Sequence, residues 1–73
     1  MVLPKLNQAG DDAVVAAWIV EIGDAISVDV PVIEMETEKV TVEVCSTVAG
    51  RVTRQFVSKG DTVKVGQPIL EVE

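Results

Sequence analysis

Histidine is absent from these 73 residues, and there is a single cysteine, Cys45. Ser-His-Asp and Cys-His catalysis are excluded on that ground, and the usual zinc-ligand sets lack their donors. One thiol cannot close an internal disulfide, so no disulfide framework supports the fold, and a reducing compartment fits. With one phenylalanine and one tryptophan, no aromatic platform for stacking bases is expected. Positive charge is also scarce: six Lys and Arg stand against twelve Asp and Glu, a formal charge of −6. Nucleic acid and anionic membranes are therefore disfavoured as partners, since both call for a basic face. No apolar run approaches the ~20 residues that span a bilayer. Met1-Val2-Leu3-Pro4-Lys5 has no apolar stretch of signal-peptide type, so a secretory address is absent from these residues.

What the chain does have is aliphatic bulk. Apolar residues make up 48% of it, too many for a disordered segment, and most are valine and isoleucine, which favour pleated, half-buried surfaces. The length gives one domain, residues 1–73. A chain this short buries only about 60% of the surface its unfolded form exposes. It has no room for a deep substrate cleft of the roughly 300–1,000 Å³ usual for small-molecule sites. The composition does not look like that of an enzyme.

An internal repeat organises the sequence. Residues 23–36 (GDAISVDVPVIEME) align without gaps to residues 60–73 (GDTVKVGQPILEVE), with six identities at an offset of 37. Unrelated sequences of ordinary composition would match at about one such position. Two copies are too few for a solenoid, so two halves packing their apolar faces together predict a pseudo-two-fold sandwich. The fold class expected is all-β: a flattened sandwich/barrel hybrid of two small antiparallel sheets. Val40-Thr41-Val42-Glu43-Val44 and Leu70-Glu71-Val72-Glu73 alternate with the period of half-buried strands. Residues 14–20 read as another strand, with Trp18 as a core anchor, and a surface loop covers Asn7, Gln8, Ala9, Gly10, Asp11 and Asp12. Gly23-Asp24 and Gly60-Asp61 mark tight turns. Asp29 stands where the second copy has Gly66, a substitution suited to a left-handed backbone position.

Thr37, Glu38 and Lys39 fall between the strand ending at Glu36 and the one starting at Val40. The chain must reverse there, and a type I turn would place Glu38-Lys39 at its tip. Shifted by the repeat offset, Lys39 maps beyond Glu73, so the hairpin is the symmetry mate of the chain termini and is expected at the opposite end of the domain. On position alone, Lys39 could equally be a solvated lysine loosely paired with glutamates, an interaction worth about 0–1 kcal/mol.

Glu36-Thr37-Glu38-Lys39-Val40 resembles the attachment motif of the lipoyl domains of 2-oxo acid dehydrogenase acyltransferase components, usually Glu-Thr-Asp-Lys-Ala. The match extends through Val42-Glu43-Val44, Ala49-Gly50-Arg51-Val52 and both Gly-Asp turns, nearly the whole chain. The resemblance implies that Lys39 carries lipoate as an amide and that the domain is a non-catalytic swinging-arm carrier. It implies four partners: a lipoylating enzyme, a thiamine diphosphate-dependent decarboxylase, an acyltransferase domain using coenzyme A, and dihydrolipoamide dehydrogenase, a flavoprotein using FAD. Recognition residues would be Glu36, Thr37, Glu38, Val40 and Gly23. The loop of residues 7–12 would help the decarboxylase choose its carrier. No metal is implied, and the isolated domain is expected to be monomeric. The expected setting is the cytoplasm of a bacterium or archaeon, or the mitochondrial matrix of a eukaryote. The chain stops where the second repeat copy ends, as expected of a segment of a longer acyltransferase. Pyruvate, 2-oxoglutarate, branched-chain and acetoin systems share such a carrier.

Three departures from the family pattern stand out. Glu38 replaces the usual aspartate and Val40 the usual alanine, both keeping charge or apolarity. Cys45-Ser46-Thr47 lies where many members have prolines, which predicts a looser turn, and Cys45 itself reads as a packing residue rather than a redox partner. The rival readings are a biotinyl carrier, which would place methionines on both sides of the lysine, and an unmodified lipoyl-like structural module, which would leave Lys39 unexplained. A glycine-cleavage H protein would be longer.

Overall fold

The computed structural model describes residues 1–4, 12–38 and 40–73. Alternating aliphatic and polar residues give β-strands, and no helix occurs among the described residues. In chain order the strands are β1 (Asp12–Trp18), β2 (Ala25–Ile26), β3 (Pro31–Glu36), β4 (Thr41–Cys45), β5 (Gly50–Gln55), β6 (Thr62–Lys64) and β7 (Leu70–Val72). They form a four-stranded sheet, β4-β3-β1-β6, and a three-stranded sheet, β2-β5-β7, with antiparallel neighbours throughout. The expected all-β architecture of two antiparallel sheets is thus observed. The sheets do not close into a barrel, because β4 and β6 end one sheet and β2 ends the other.

The pseudo-two-fold is explicit in the pairing. A shift of 37 residues carries β1 onto β5, β2 onto β6 and β3 onto β7, and the order β3-β1-β6 onto β7-β5-β2. The counterpart of β4 is the N-terminal segment. Leu3 N donates to Gln67 O and accepts Gly66 N at its own carbonyl, both at 2.9 Å; Ser46 makes the same pair of bonds with Val30 and Asp29, both at 2.8 Å. Leu3 and Ser46 therefore hold equivalent places, each 1% exposed.

Inward-facing residues of both sheets meet in one core: Val15, Val32, Ile33, Met35, Val44 and Val63 from the first, Ile26, Val52 and Leu70 from the second, with Val20, Val57 and Ile69 from flanking segments. Each such side chain contributes about 1.5–3 kcal/mol on burial. Trp18 sits half-buried at the rim of this core rather than inside it, with its indole Nε1 donating to Val57 O at 3.0 Å.

The structure departs from the sequence expectation at Cys45, which is exposed on β4 rather than packed, at the bounds of the first strand and at the turn after β4. The first long strand is Asp12–Trp18 rather than residues 14–20. At its end the amides of Ile19 and Val20 both donate to Val32 O, at 3.0 and 3.3 Å, which breaks the ladder and turns the chain. At its start Asp12 pairs with Lys64 of β6, so Asp12 belongs to the strand and not to the preceding loop. The turn after β4 is tied down rather than loose: the Ser46 hydroxyl donates to Val48 O and accepts Val48 N, forming a local side-chain closure where a proline would have restricted φ.

The turn chemistry follows the repeat. Asp24 Oδ2 accepts Glu21 N and Asp61 Oδ2 accepts Ser58 N, each at 2.8 Å, beside Gly23 (φ 99°) and Gly60 (φ 93°). Asp29 takes φ 74° where Gly66 takes 89°, the left-handed position expected from the alignment.

Candidate functional site

β3 and β4 pair up to Glu36 and Thr41, so residues 37–40 make the reversal between them. Thr37 closes this reversal. Its amide donates to Val40 O at 2.8 Å, its hydroxyl donates to the same carbonyl at 2.8 Å, and Val40 N donates back to the hydroxyl at 3.1 Å. The Thr37 side chain is buried, whereas Glu36, Glu38 and Val40 are exposed. Lys39 lies outside the described residues, as do Asn7, Gln8, Ala9, Gly10 and Asp11 of the expected partner loop.

The register extends this end of the sheet sideways. Thr62, Val14, Glu36 and Thr41 form one row across β6, β1, β3 and β4. Beside that row lies a depression of about 650 Å³, open to solvent, lined by Asp12, Val14, Glu36, Thr37, Glu38 and Lys64 among others. It is a broad surface hollow rather than a deep cleft. Among the described residues three carboxylates border it against one ammonium, and Lys64 Nζ stands 3.9 Å from Asp12 Oδ1 in an exposed pair. Asp12, expected in a loop near the lysine, shares this surface with Glu36 and Glu38 but does so from β1.

Gly23 lies elsewhere. Its amide donates to Val52 O, and its carbonyl accepts Arg51 Nη1 at 3.2 Å, both on β5 of the other sheet. The Gly-Asp turn on the hairpin side is the second one: Gly60 N donates to Val15 O, next to Val14, which faces Glu36. Thr62 and Lys64 were not singled out from sequence, because only the non-local β1–β6 pairing brings them to this surface. The one signal available was the repeat itself, since a two-fold that exchanges the ends of the domain sends one Gly-Asp turn to each end.

The family model for biotin/lipoyl attachment, described as biotin-requiring enzyme, matches residues 1–73. The chain belongs to the biotin/lipoyl-attachment family. Within it, the domain is similar to the dihydrolipoyllysine-residue succinyltransferase component of the 2-oxoglutarate dehydrogenase complex of Bartonella vinsonii subsp. berkhoffii, 41% identical over 97% of this chain and 17% of the relative. It is also similar to the dihydrolipoyllysine-residue acetyltransferase component of the pyruvate dehydrogenase complex of Corynebacterium glutamicum, 33% identical over 96% of this chain and 10% of the relative. Among solved structures, the lipoyl domain of the 2-oxoglutarate dehydrogenase complex from Azotobacter vinelandii superposes with a TM-score of 0.72 at 26% identity, covering 100% of this chain and 96% of that one. This lipoyl domain therefore spans 17% and 10% of the length of those two relatives. Its two open sheets and its β3–β4 reversal are the framework on which the motif Glu36-Thr37-Glu38-Lys39-Val40 is mounted.

Proposed function

We propose that Lys39 is the attachment point of a covalently bound lipoyl group, and that the domain is a swinging-arm carrier in a 2-oxo acid dehydrogenase complex. The observation that carries this reading is the position of the lysine. It is the one residue between Glu38 and Val40 in a strand reversal closed by Thr37, in a chain of the lipoyl-domain family. The surroundings suit the group: Glu38 and Val40 on either side are exposed, so an arm attached between them has solvent to move in.

When bound, the lipoyl amide supplies a dithiolane that can be reduced, acylated and reoxidised. The domain's own residues present it. Glu36 and Glu38 set two exposed carboxylates beside the lysine for a lipoylating enzyme to read, and Asp12 adds a third on the same surface. Paired strands on either side of the reversal provide a rigid base, so tethering raises the effective concentration of the arm at each partner site. The partners on this reading are the lipoylating enzyme, a thiamine diphosphate-dependent decarboxylase, an acyltransferase domain using coenzyme A and an FAD-dependent dihydrolipoamide dehydrogenase. The chemistry itself then resides in those proteins, in the cytoplasm of a bacterium or archaeon or the mitochondrial matrix of a eukaryote.

Intact mass after incubation with a lipoate ligase, lipoate and ATP tests the reading, with a biotin ligase and biotin as the parallel arm. A single lipoyl increment that maps to Lys39 and vanishes in Lys39→Ala is expected. The variant should match the native domain in urea stability to within about 0.5 kcal/mol, as surface substitutions do. A biotinyl increment would assign the domain to biotin, and no increment in either arm would make it an unmodified module.

A further inference from the structure

The reversal between β3 and β4 spans residues 37–40, with neither glycine nor asparagine in it. Two-residue connections between antiparallel strands favour type I′ and II′ turns, both of which need a positive φ at the first central residue and so draw on glycine or asparagine. Here that residue is Glu38, and among the described non-glycine residues only Asp29 has a positive φ. Neither primed turn is therefore formed. Four-residue connections are most often built around a type I turn, and β3 and β4 stay paired up to Glu36 and Thr41 on either side of it. Among the described residues, the Thr37 side chain is what closes this turn. The Thr37 hydroxyl donates to Val40 O and accepts Val40 N, so a single side-chain oxygen engages both backbone groups of the residue across the turn. Thr37 as a whole is only 9% exposed. A modifying enzyme meeting the folded domain would thus find Glu36, Glu38 and Val40 at the surface and Thr37 beneath them.

We propose that Thr37 is a positioning residue for modification of Lys39: its hydroxyl clamps Val40 and so fixes the chain on either side of the lysine, rather than serving as a contact for the modifying enzyme. The inference rests on the carrier reading of Lys39. Enzymatic transfer to an amine requires that amine to enter a site shaped for it, and misplacement by about 1 Å can cost on the order of a hundredfold in rate. Loss of the clamp frees the chain on either side of the lysine to shift while leaving the core beneath it intact.

The test compares Thr37→Val, which keeps the shape and removes the hydroxyl, with Thr37→Ser, which keeps the hydroxyl. Thr37→Ala serves as a second hydroxyl-free variant that forces no new methyl against the Val40 carbonyl. Initial rates with lipoate ligase, lipoate and ATP are measured against domain concentration. Alongside, acetylation of Lys39 by acetic anhydride reports simple access to the amine, and urea melts report folding. In Thr37→Val and Thr37→Ala, kcat/KM for lipoylation should fall at least about tenfold, with acetylation of Lys39 unchanged. Thr37→Ser should stay within about twofold of the native domain. Native kcat/KM in a folded hydroxyl-free variant would overturn the proposal. So would a serine variant as impaired as the alanine one. A native domain that takes no lipoate would instead overturn the carrier reading, and this inference with it.

Discussion

Trp18 and Gln55 do the same work in the two halves of the domain. The indole Nε1 of Trp18 donates to the carbonyl of Val57 at 3.0 Å, and the Gln55 amide Nε2 donates to the carbonyl of Val20 at 2.9 Å. The donors are 37 residues apart, as are the acceptors. Each side chain reaches from the end of a long strand to the segment that follows the equivalent strand in the other sheet. Together they strap the two sheets across the pseudo-two-fold, at a point where no ladder joins them.

The straps should be energetically coupled. Trp18→Phe and Gln55→Met each remove one donor and leave a carbonyl in partly buried surroundings, at a cost of about 1–3 kcal/mol. Because either strap alone still holds the same two segments together, the double variant should lose at least about 0.5 kcal/mol more than the sum of the single losses. A double-mutant cycle in urea measures this. Strict additivity would mean that the two straps act independently.

Gly50 and Gly60 should respond very differently to alanine. A Cβ on Gly50 would meet the carbonyl oxygen of Glu73 at 2.5 Å and Val72 Cβ at 3.2 Å, at φ 148°. The close atom is backbone of the residue that follows β7, so the chain there must move away from β5 to admit it. Gly60 has φ 93° and nothing within 4 Å of a built Cβ, so alanine there bears only the left-handed penalty of roughly 1–2 kcal/mol. Gly50→Ala should therefore lower Tm by more than Gly60→Ala, each kcal/mol being worth about 4–8 °C in a domain of this size. Equal melting shifts would refute the close contact.

Asp29 and Gly66 share one backbone conformation, φ 74° and 89°. Aspartate should therefore be tolerated at Gly66, while valine, branched at Cβ, should not. Gly66→Asp is expected to cost about 1 kcal/mol less than Gly66→Val. Asp29→Val should be destabilising in the same way. Chemical denaturation of the three variants checks the order.

Glu34 and Glu43 stand directly opposite each other on β3 and β4. Like charges in that relation oppose pairing, by roughly 0.2–1 kcal/mol. Glu43→Gln should thus raise stability at low ionic strength, and the gain should shrink at about 1 M salt, where the Debye length is about 3 Å. Melts at two salt concentrations would show it, and a gain independent of salt would point to packing instead.

The expected fold emerged from the sequence because its carriers were local or repeated. Strand alternation in β4, the two Gly-Asp turns and the exchange of Gly66 for Asp29 are each readable within a few residues. The strap was not legible, because Trp18 and Gln55 share no chemistry beyond one N–H donor and lie outside the aligned repeat. The equivalence of Leu3 and Ser46 was hidden for a similar reason: one buries an alkyl chain, the other a hydroxyl bonded to Val48. The start of β1 is not legible locally, because the pairing of Asp12 with Lys64 depends on β6, a strand distant in sequence.

By itself, then, the sequence determined the all-β class, the two-fold repeat and the lysine motif between β3 and β4, since periodicity and turn chemistry act over short stretches of chain. Tertiary structure alone decided which surface the motif belongs to. It brought Asp12, Thr62 and Lys64 beside Glu36 and Glu38, sent Gly23 to the other sheet, and set the Thr37 hydroxyl against the backbone of Val40. Those relations arise from non-local strand pairing, whose partners are selected by the burial of whole apolar faces and not by any residue's immediate neighbours.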